Sequence, residues 1–419
     1  MPPVTEATPQ FRDIHISNVV CDGAEEGIFV RGLPEMNIRD VYLDDMVLKA
    51  AKGAELMAAS RGKDPGIKLI YMTPVNTAIC SFGMSGRVFH APFLHVSPQF
   101  QFYSVWEREK NLASKIYPGV RVCRTLEELL ADEAVELVIV NTPNYTHFDY
   151  TRQALQAGKH VIVEKPFTVT EAEGLELIAL AKKMGKKLTS FQSRRFDSDY
   201  RTVKRIVDSG VLGKIVEAEL HYDRYTPALS PKVHKETPGP GRGLLYDLGS
   251  HLIDQVLQLF GDPDFVFADI FIIRDNSQVD DYMELLLYYP GMRARIKSSY
   301  LVREPIPSYD INGHLGTFLK SRTDVQERHL LAGEMPGGPD WGVEPEAERG
   351  LLHTEIDGKV IREYVPTERG NYMDFFTGVY EAIRHDRPLP VTAEQAVRII
   401  RVIEKAYESV REKKIVLFR

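Results

Sequence analysis

Apolar and polar residues alternate through two early stretches, Phe11-Arg12-Asp13-Ile14-His15-Ile16-Ser17-Asn18 and Ile38-Arg39-Asp40-Val41-Tyr42-Leu43-Asp44-Asp45, which lie 27 residues apart. Each runs on through a glycine into a further burst, Gly27-Ile28-Phe29-Val30 and Gly53-Ala54-Glu55-Leu56. Period-two strands recurring at that spacing predict coils of a parallel β-helix. Two coils and part of a third, at 67–71, are fewer than the three or so that bury a solenoid's faces. Residues 1–73 therefore read as a detached β-helix fragment from a fusion or gene boundary, with a docked accessory segment as the alternative. Residues 61–66 and 72–74 read as linkers.

At Val75 the pattern changes. Short apolar runs (76–82, 100–106, 135–140, 160–163) alternate with helical stretches (126–131 and 148–157, the second closed by Gly158). Strand–helix alternation predicts right-handed crossovers and a parallel sheet whose C-terminal ends gather over one ligand. Later, His221-Tyr222-Asp223-Arg224-Tyr225 alternates as a strand, setting His221, Asp223 and Tyr225 on one face. Thr392-Ala393-Glu394-Gln395 reads as a capping box opening an amphipathic helix to about Lys413.

Composition narrows the classes. The chain has 419 residues, 52 basic against 59 acidic, a net charge of −7. That length predicts two or three domains, and the mild acidity excludes a strongly basic nucleic-acid binder. Three cysteines are too few for a disulfide framework or a thiolate metal site. The N-terminus lacks the basic-then-apolar order of a secretory signal, and no run is long enough to span a membrane. A cytoplasmic protein is expected.

After the run 76–82 come Ser81, Gly83, Met84, Ser85 and Gly86, a G-x-G-x-x-G fingerprint with its first glycine replaced. Glycines let backbone approach a pyrophosphate, and a helix start supplies N–H donors. The next strand ends in Glu107-Arg108. Glu107 suits ribose hydroxyls and Arg108 a 2′-phosphate, so NAD and NADP both stay open, with a lean towards NAD.

From Glu164-Lys165-Pro166 the chain resembles the family of glucose–fructose oxidoreductases and inositol dehydrogenases (Gfo/Idh/MocA) over about 76–419. Thr142-Pro143-Asn144 with His147, Ala157-Gly158-Lys159-His160, Ser193-Arg194-Arg195-Phe196, Gly213-Lys214-Ile215 and Gly243-x-x-x-Asp247-x-Gly249-x-His251 carry the likeness. The stretch from Ile16-Ser17-Asn18 is similar to the last coils of polygalacturonase-type glycoside hydrolases, without their catalytic carboxylates.

The first resemblance implies an α/β fold. A Rossmann dinucleotide-binding domain (75–197) would precede an α/β domain with a large, mostly antiparallel open sheet (198–419) that binds substrate and joins a homo-oligomer. It implies NAD or NADP contacts at Thr142, Pro143, Asn144, His147, Glu164 and Lys165, and a sugar, polyol or inositol-like substrate. Lys165, Asp247 and His251 match the family's catalytic Lys, Asp and His. Their chemistry fits: oxidising a secondary alcohol needs positive charge on the oxygen and a proton acceptor, which Lys165 and His251 supply. Asp247, four residues before His251 on one helix face, orients the substrate or His251. Asp254 extends that face towards a metal-like set, although no metal is expected.

Substrate contacts are expected at Asp223, Tyr225, Arg195 and His234, with Tyr372 a weaker candidate. The Pro/Gly-rich stretch 237–241 reads as a mobile loop. Two competing functions remain, NAD-dependent glycoside hydrolysis and a catalytically silent nucleotide sensor.

Overall fold

The computed structural model describes residues 14–17, 20–31, 41–44, 47–57 and 73–418. They fall into two compact units, Met1–Pro74 and Val75–Arg419.

In the first unit β1 (Ile14–Ser17) pairs in parallel with β3 (Val41–Asp44), and β2 (Val20–Arg31) with β4 (Val47–Met57). Ile14 faces Val41 and Val20 faces Val47, so the sequence repeat is also a pairing repeat. A bulge between Asp22 and Ala24 then sets Ile28 against Ala54. The linker at 61–66 and the partial third run at 67–71 lie outside the described residues.

The second unit opens with β5 (Val75–Ile79), β6 (Phe100–Trp106), β7 (Arg121–Cys123), β8 (Leu137–Val140), β9 (His160–Glu164) and β10 (Leu188–Phe191). All pair in parallel, in the order β10-β9-β8-β5-β6-β7. Every residue of β8 and β10 is buried, as befits strands covered on both faces. β5 stops three residues short of the predicted run. Past Ile79 the chain turns so that the Ser81 carbonyl accepts from Asn141 Nδ2 at 2.8 Å.

Nine strands then form a mixed sheet: β11 (Ile215–His221), β12 (Phe265–Phe271), β13 (Tyr282–Tyr289), β14 (Met292–Ser299), β15 (Tyr309–Gly313), β16 (Gly316–Lys320), β17 (Gly350–Ile356), β18 (Lys359–Val365) and β19 (Val416–Leu417). Their order is β18-β17-β16-β15-β11-β14-β13-β12-β19, and within this sheet the described pairs are antiparallel except β11–β14. The helix Ser250–Phe260 buries Leu252, Ile253, Val256 and Leu257 in a core shared with Leu285, Leu287 and Ile296 of the sheet.

Two late helices tie the second unit together. Ala393–Glu412 begins at Thr392 with the expected capping box. It puts Ala393, Ala396 and Val397 into the core of the six-stranded sheet and Ile399, Ile400 and Ile403 into that of the nine-stranded one. Met373–His385 lays Phe376 against Phe93 and Phe100, with ring centroids 5.2 and 6.1 Å apart.

Candidate active site

Strand order reverses between β5 and β8, and the crevice outside that point is where open parallel sheets bind nucleotides. The turn after β5 supplies its floor. Ser81, in place of the first fingerprint glycine, accepts from the Gly83 N–H on its Oγ at 3.3 Å. Gly83 and Met84 are exposed, and Met84 and Ser85 line the cleft. A Cβ on Gly86 would stand 2.1 Å from the Ser81 carbonyl oxygen, so glycine alone allows the helix start to lie this close to the strand end. The first turn is a π turn, Gly86–His90, followed by the α-helix Ala91–Val96 with Pro92 in its first turn. Close-packed backbone at a helix start beside the reversal point fits a pyrophosphate.

Past β6 the two charged neighbours divide. Glu107 is buried, and its carboxylate accepts from the Leu112 N–H at 3.2 Å and the Ala113 N–H at 3.0 Å. It caps a short helix, an engagement that the expected ribose role did not include. Arg108 is exposed.

After β8, Thr142 and Asn144 line the cleft and Pro143 an adjoining cavity. His147 does not reach either. It is fully buried, with ring nitrogens 2.8 Å from the Pro166 carbonyl and 2.9 Å from that of Thr142, and so fastens the loops after β8 and β9. Burial pushes its pKa down against the pull of the two carbonyls, and a neutral ring can donate to only one of them. Glu164 closes the cleft from β9, bonded to Ser85 Oγ and, at 2.8 Å, to His90 Nε2. Burial would raise its carboxyl, but His90, Ser85 and Lys165 hold it below the ordinary value.

The catalytic candidates meet in this cleft, of about 260 Å³, which Lys165, Asp247 and His251 all line. The Lys165 ammonium donates to Asp247 Oδ1 at 2.8 Å and to the Asp247 carbonyl at 2.9 Å. Lys235 stands 3.4 Å from Asp247 Oδ2. Asp247 lies on a π turn, Leu245–Gly249, that runs into the helix Ser250–Phe260 bearing His251. Burial favours a neutral Asp247, but Lys165 and Lys235 outweigh it and hold the carboxyl far below the usual range. Its pair with Lys165 means that Asp247 orients the lysine. His251 is buried, its Nδ1 without a partner among the described residues. Burial first, then Lys165 and Arg194, push its pKa well below the ordinary value, so the ring is neutral and able to accept a proton.

Gly243 explains its place in the motif. Its φ is +93°, and a Cβ there would lie 2.0 Å from Asp280 Oδ1, whose other oxygen accepts from the Leu245 N–H at 2.9 Å. The Asp280 carboxylate thus anchors the start of the Asp247 turn.

Three substrate candidates do not line the cleft. Arg195 binds Asp254 with two nitrogens, at 2.8 and 2.6 Å, and Gln395 with the third at 2.7 Å; it is a buried tie that also occupies Asp254. Among the described residues no three His, Cys, Asp or Glu side chains are grouped to hold a metal. Asp223 accepts from the Ser299 N–H at 3.1 Å and faces His221 at 3.3 Å, while Tyr225 stacks with Arg303. The expected strand ends at His221, with Tyr225 in an isolated bridge beyond it, and of this stretch Tyr222 and Arg224 line the cleft. The side chain of His234 lies outside the described residues, and Tyr372 is buried under Arg194, bonded to it at 3.0 Å and to Asp197 at 2.8 Å.

Arg194, Tyr222, Arg224, Lys235 and Glu327 line the cleft and were not singled out. Arg194 is paired with Glu327. Tyr222 carries the guanidinium groups of Arg322 and Arg224 over its ring at 4.5 and 5.2 Å, and its centroid is 6.5 Å from that of His251.

Residues 75–192 match the family model of the oxidoreductase NAD-binding Rossmann fold, and 204–417 that of the oxidoreductase C-terminal alpha/beta domain. The chain is 37% identical over 343 residues to scyllo-inositol 2-dehydrogenase (NADP(+)) IolW of Bacillus subtilis, covering 82% of this chain and 96% of that one. It is 26% identical over 285 residues to D-xylose 1-dehydrogenase (NADP(+)) 2 of Haloferax volcanii, covering 68% and 80%. An oxidoreductase structure from Bacteroides fragilis superposes with a TM-score of 0.75 at 46% identity, over 82% of this chain and all of that one. The oxidoreductase YvaA of Bacillus subtilis gives 0.80 at 36%, over 83% and 99%. With both halves matched and the Lys165–Asp247–His251 cleft between them, the chain belongs to the Gfo/Idh/MocA family of NAD(P)-dependent oxidoreductases.

Proposed function

We propose that this protein interconverts a secondary hydroxyl and a ketone on a sugar, polyol or inositol-like substrate, using NADP. The carrying observation is the Lys165–Asp247 pair set beside a neutral His251 in a cleft that the fingerprint turn also lines. A substrate oxygen on Lys165 gains a charged hydrogen-bond donor as alkoxide character develops, and His251 accepts the hydroxyl proton. Asp247 keeps the ammonium aimed. The nicotinamide, when bound, supplies the hydride acceptor. NADP is favoured because Arg108 is exposed while Glu107, which would repel a 2′-phosphate, is spent on a helix start.

In this reading 75–197 serves the dinucleotide and 198–419 the substrate and assembly, with 1–73 a passenger. Homo-oligomers form through the outer face of the nine-stranded sheet, where Phe265, Phe267 and Phe271 are exposed. No helix among the described residues is long and apolar enough to cross a membrane. Two buried free thiols, Cys80 and Cys123, suit a reducing cytoplasm.

Incubation with NADP and a panel of polyols and sugars tests the reading. Reduced cofactor should accumulate in proportion to substrate. Turnover of a glycoside with no net reduction would favour the hydrolase, and binding without either reaction the sensor.

A further inference from the structure

We propose that a second cavity beside the catalytic pair is a subsite for an anionic group, carboxylate or phosphate, on the polyhydroxylated substrate. The inference rests on the dehydrogenase reading of the adjoining cleft. The cavity measures about 550 Å³ against about 260 Å³ for the cleft, and the two share Asn144, Arg224, Lys235 and Asp247. A molecule whose hydroxyl sits on Lys165 can therefore extend past Asp247 into the larger space.

The charges lining that space are unequally matched. Glu236 is held by Arg274 at 3.0 Å and by the Ser230 N–H at 2.7 Å. Asp280 accepts from the Leu245 N–H at 2.9 Å and the Tyr407 hydroxyl at 3.1 Å. Asp247 is answered by Lys165 and Lys235. Arg274 is further paired with Asp281 at 2.8 Å. Arg224 and Arg242 remain, with no carboxylate at ion-pair distance among the described residues.

Each of these two guanidinium groups is braced without being neutralised. Arg242 donates to the Thr237 carbonyl at 2.8 Å and lies 5.7 Å from the Tyr145 ring. Arg224 lies 5.2 Å from the Tyr222 ring. A guanidinium has five N–H donors in a fork that matches carboxylate and phosphate oxygens, and the bonds of Arg242 Nη1 to the Thr237 and Pro238 carbonyls and of Arg224 Nη2 to the Tyr222 hydroxyl each engage one nitrogen of the three. The remaining wall includes Leu229, Pro240 and Tyr300, flat apolar surface for a sugar ring. The dinucleotide's own phosphates are not the occupant, because no residue of the turn 81–86 lines this cavity.

The test uses the full chain saturated with NADP, with D-glucuronate, D-glucose 6-phosphate and D-glucose as probes in calorimetric titration and in turnover. At least one anion should bind about 10-fold or more tightly than glucose, with an advantage that shrinks as salt is raised. Arg242→Gln should collapse that ratio, and Arg242→Lys, which keeps the charge, should retain part of it. Equal affinity for all three probes overturns the proposal, as does an Arg242→Gln variant that weakens anion and glucose by the same factor. Anion preference through Arg242 with no cofactor reduction upholds the subsite and removes the dehydrogenase reading; glucose turnover without anion preference does the reverse.

Discussion

At the residue scale the proposed chemistry divides charge stabilisation and proton acceptance between two side chains. Lys165 carries the charge, fixed by Asp247, and His251 stays neutral because burial and nearby cations penalise its protonated form. Replacing Lys165 or His251 by alanine should each lower kcat by roughly 10²-fold or more while NADP affinity, set at the turn 81–86 and Arg108, hardly moves. The pH profile follows from the sign of the shift. A base with a depressed pKa is deprotonated through neutrality, so kcat/KM should show no acid limb near 6.5 and fall only as pH drops through the lowered value. A limb at 6.5 that vanishes in His251→Ala would contradict the buried environment. Cofactor choice gives a second check. Arg108→Ala should cost about 1.5–3 kcal/mol of NADP binding and little of NAD, whereas Glu107→Gln should leave their ratio unchanged and cost about 1 kcal/mol of stability through its helix cap. Lys165, Asp247 and His251 were singled out through the family resemblance, and the structure brings the three to one cleft. The sequence reading chose Arg195 over its neighbour Arg194, adjacent and alike, and packing gives Asp254 the first and the cleft the second.

At the scale of elements, two of the helices entering the cleft start with a π turn, Gly86–His90 and Leu245–Gly249. The extra residue in such a turn redirects side chains, and π bulges recur at functional sites. Neither turn was legible, because a hydrophobic pattern does not distinguish one wider turn from a regular helix. The segment that leaves β11 at His221 carried half its message: period two groups alternate residues but does not say which group meets the cleft. The ends of β9 and β10 are more explicit. His160 Nδ1 accepts from the Lys187 N–H at 2.9 Å, which a protonated ring cannot do. Burial, then Lys186, lowers its pKa to about 4 from 6.5. The unfolded chain therefore takes the proton first, so this contribution to stability is full above about 6.5 and is lost as pH falls towards about 4. The melting temperature should decline across that window, and His160→Asn, whose Oδ1 accepts without titrating, should flatten the decline. An unchanged slope in the variant would remove His160 as its source.

The whole molecule poses two questions, about what covers the sheet and what the first unit contributes. β12 alternates buried Val266 and Ala268 with exposed Phe265 and Phe267. Large aromatics on an open sheet face are an expected interface, so light scattering should find a multimer that Phe267→Glu dissociates. The 27-residue repeat was visible in the sequence because solenoid pairing is local in pattern, and the pairs Ile14–Val41 and Val20–Val47 realise it. What it does for the enzyme is a matter of stability. Among the described residues the two coils supply two parallel pairings, fewer than the three or so stacked coils that a solenoid core requires. The family match starts at residue 75, where the unit boundary also falls. A chain beginning at Val75 should therefore melt within a few degrees of the full one and keep its NADP affinity and kcat. If removing 1–74 lowers the melting temperature by 10 °C or more, which for a protein of this size is several kcal/mol, the first unit is part of the fold and not a passenger.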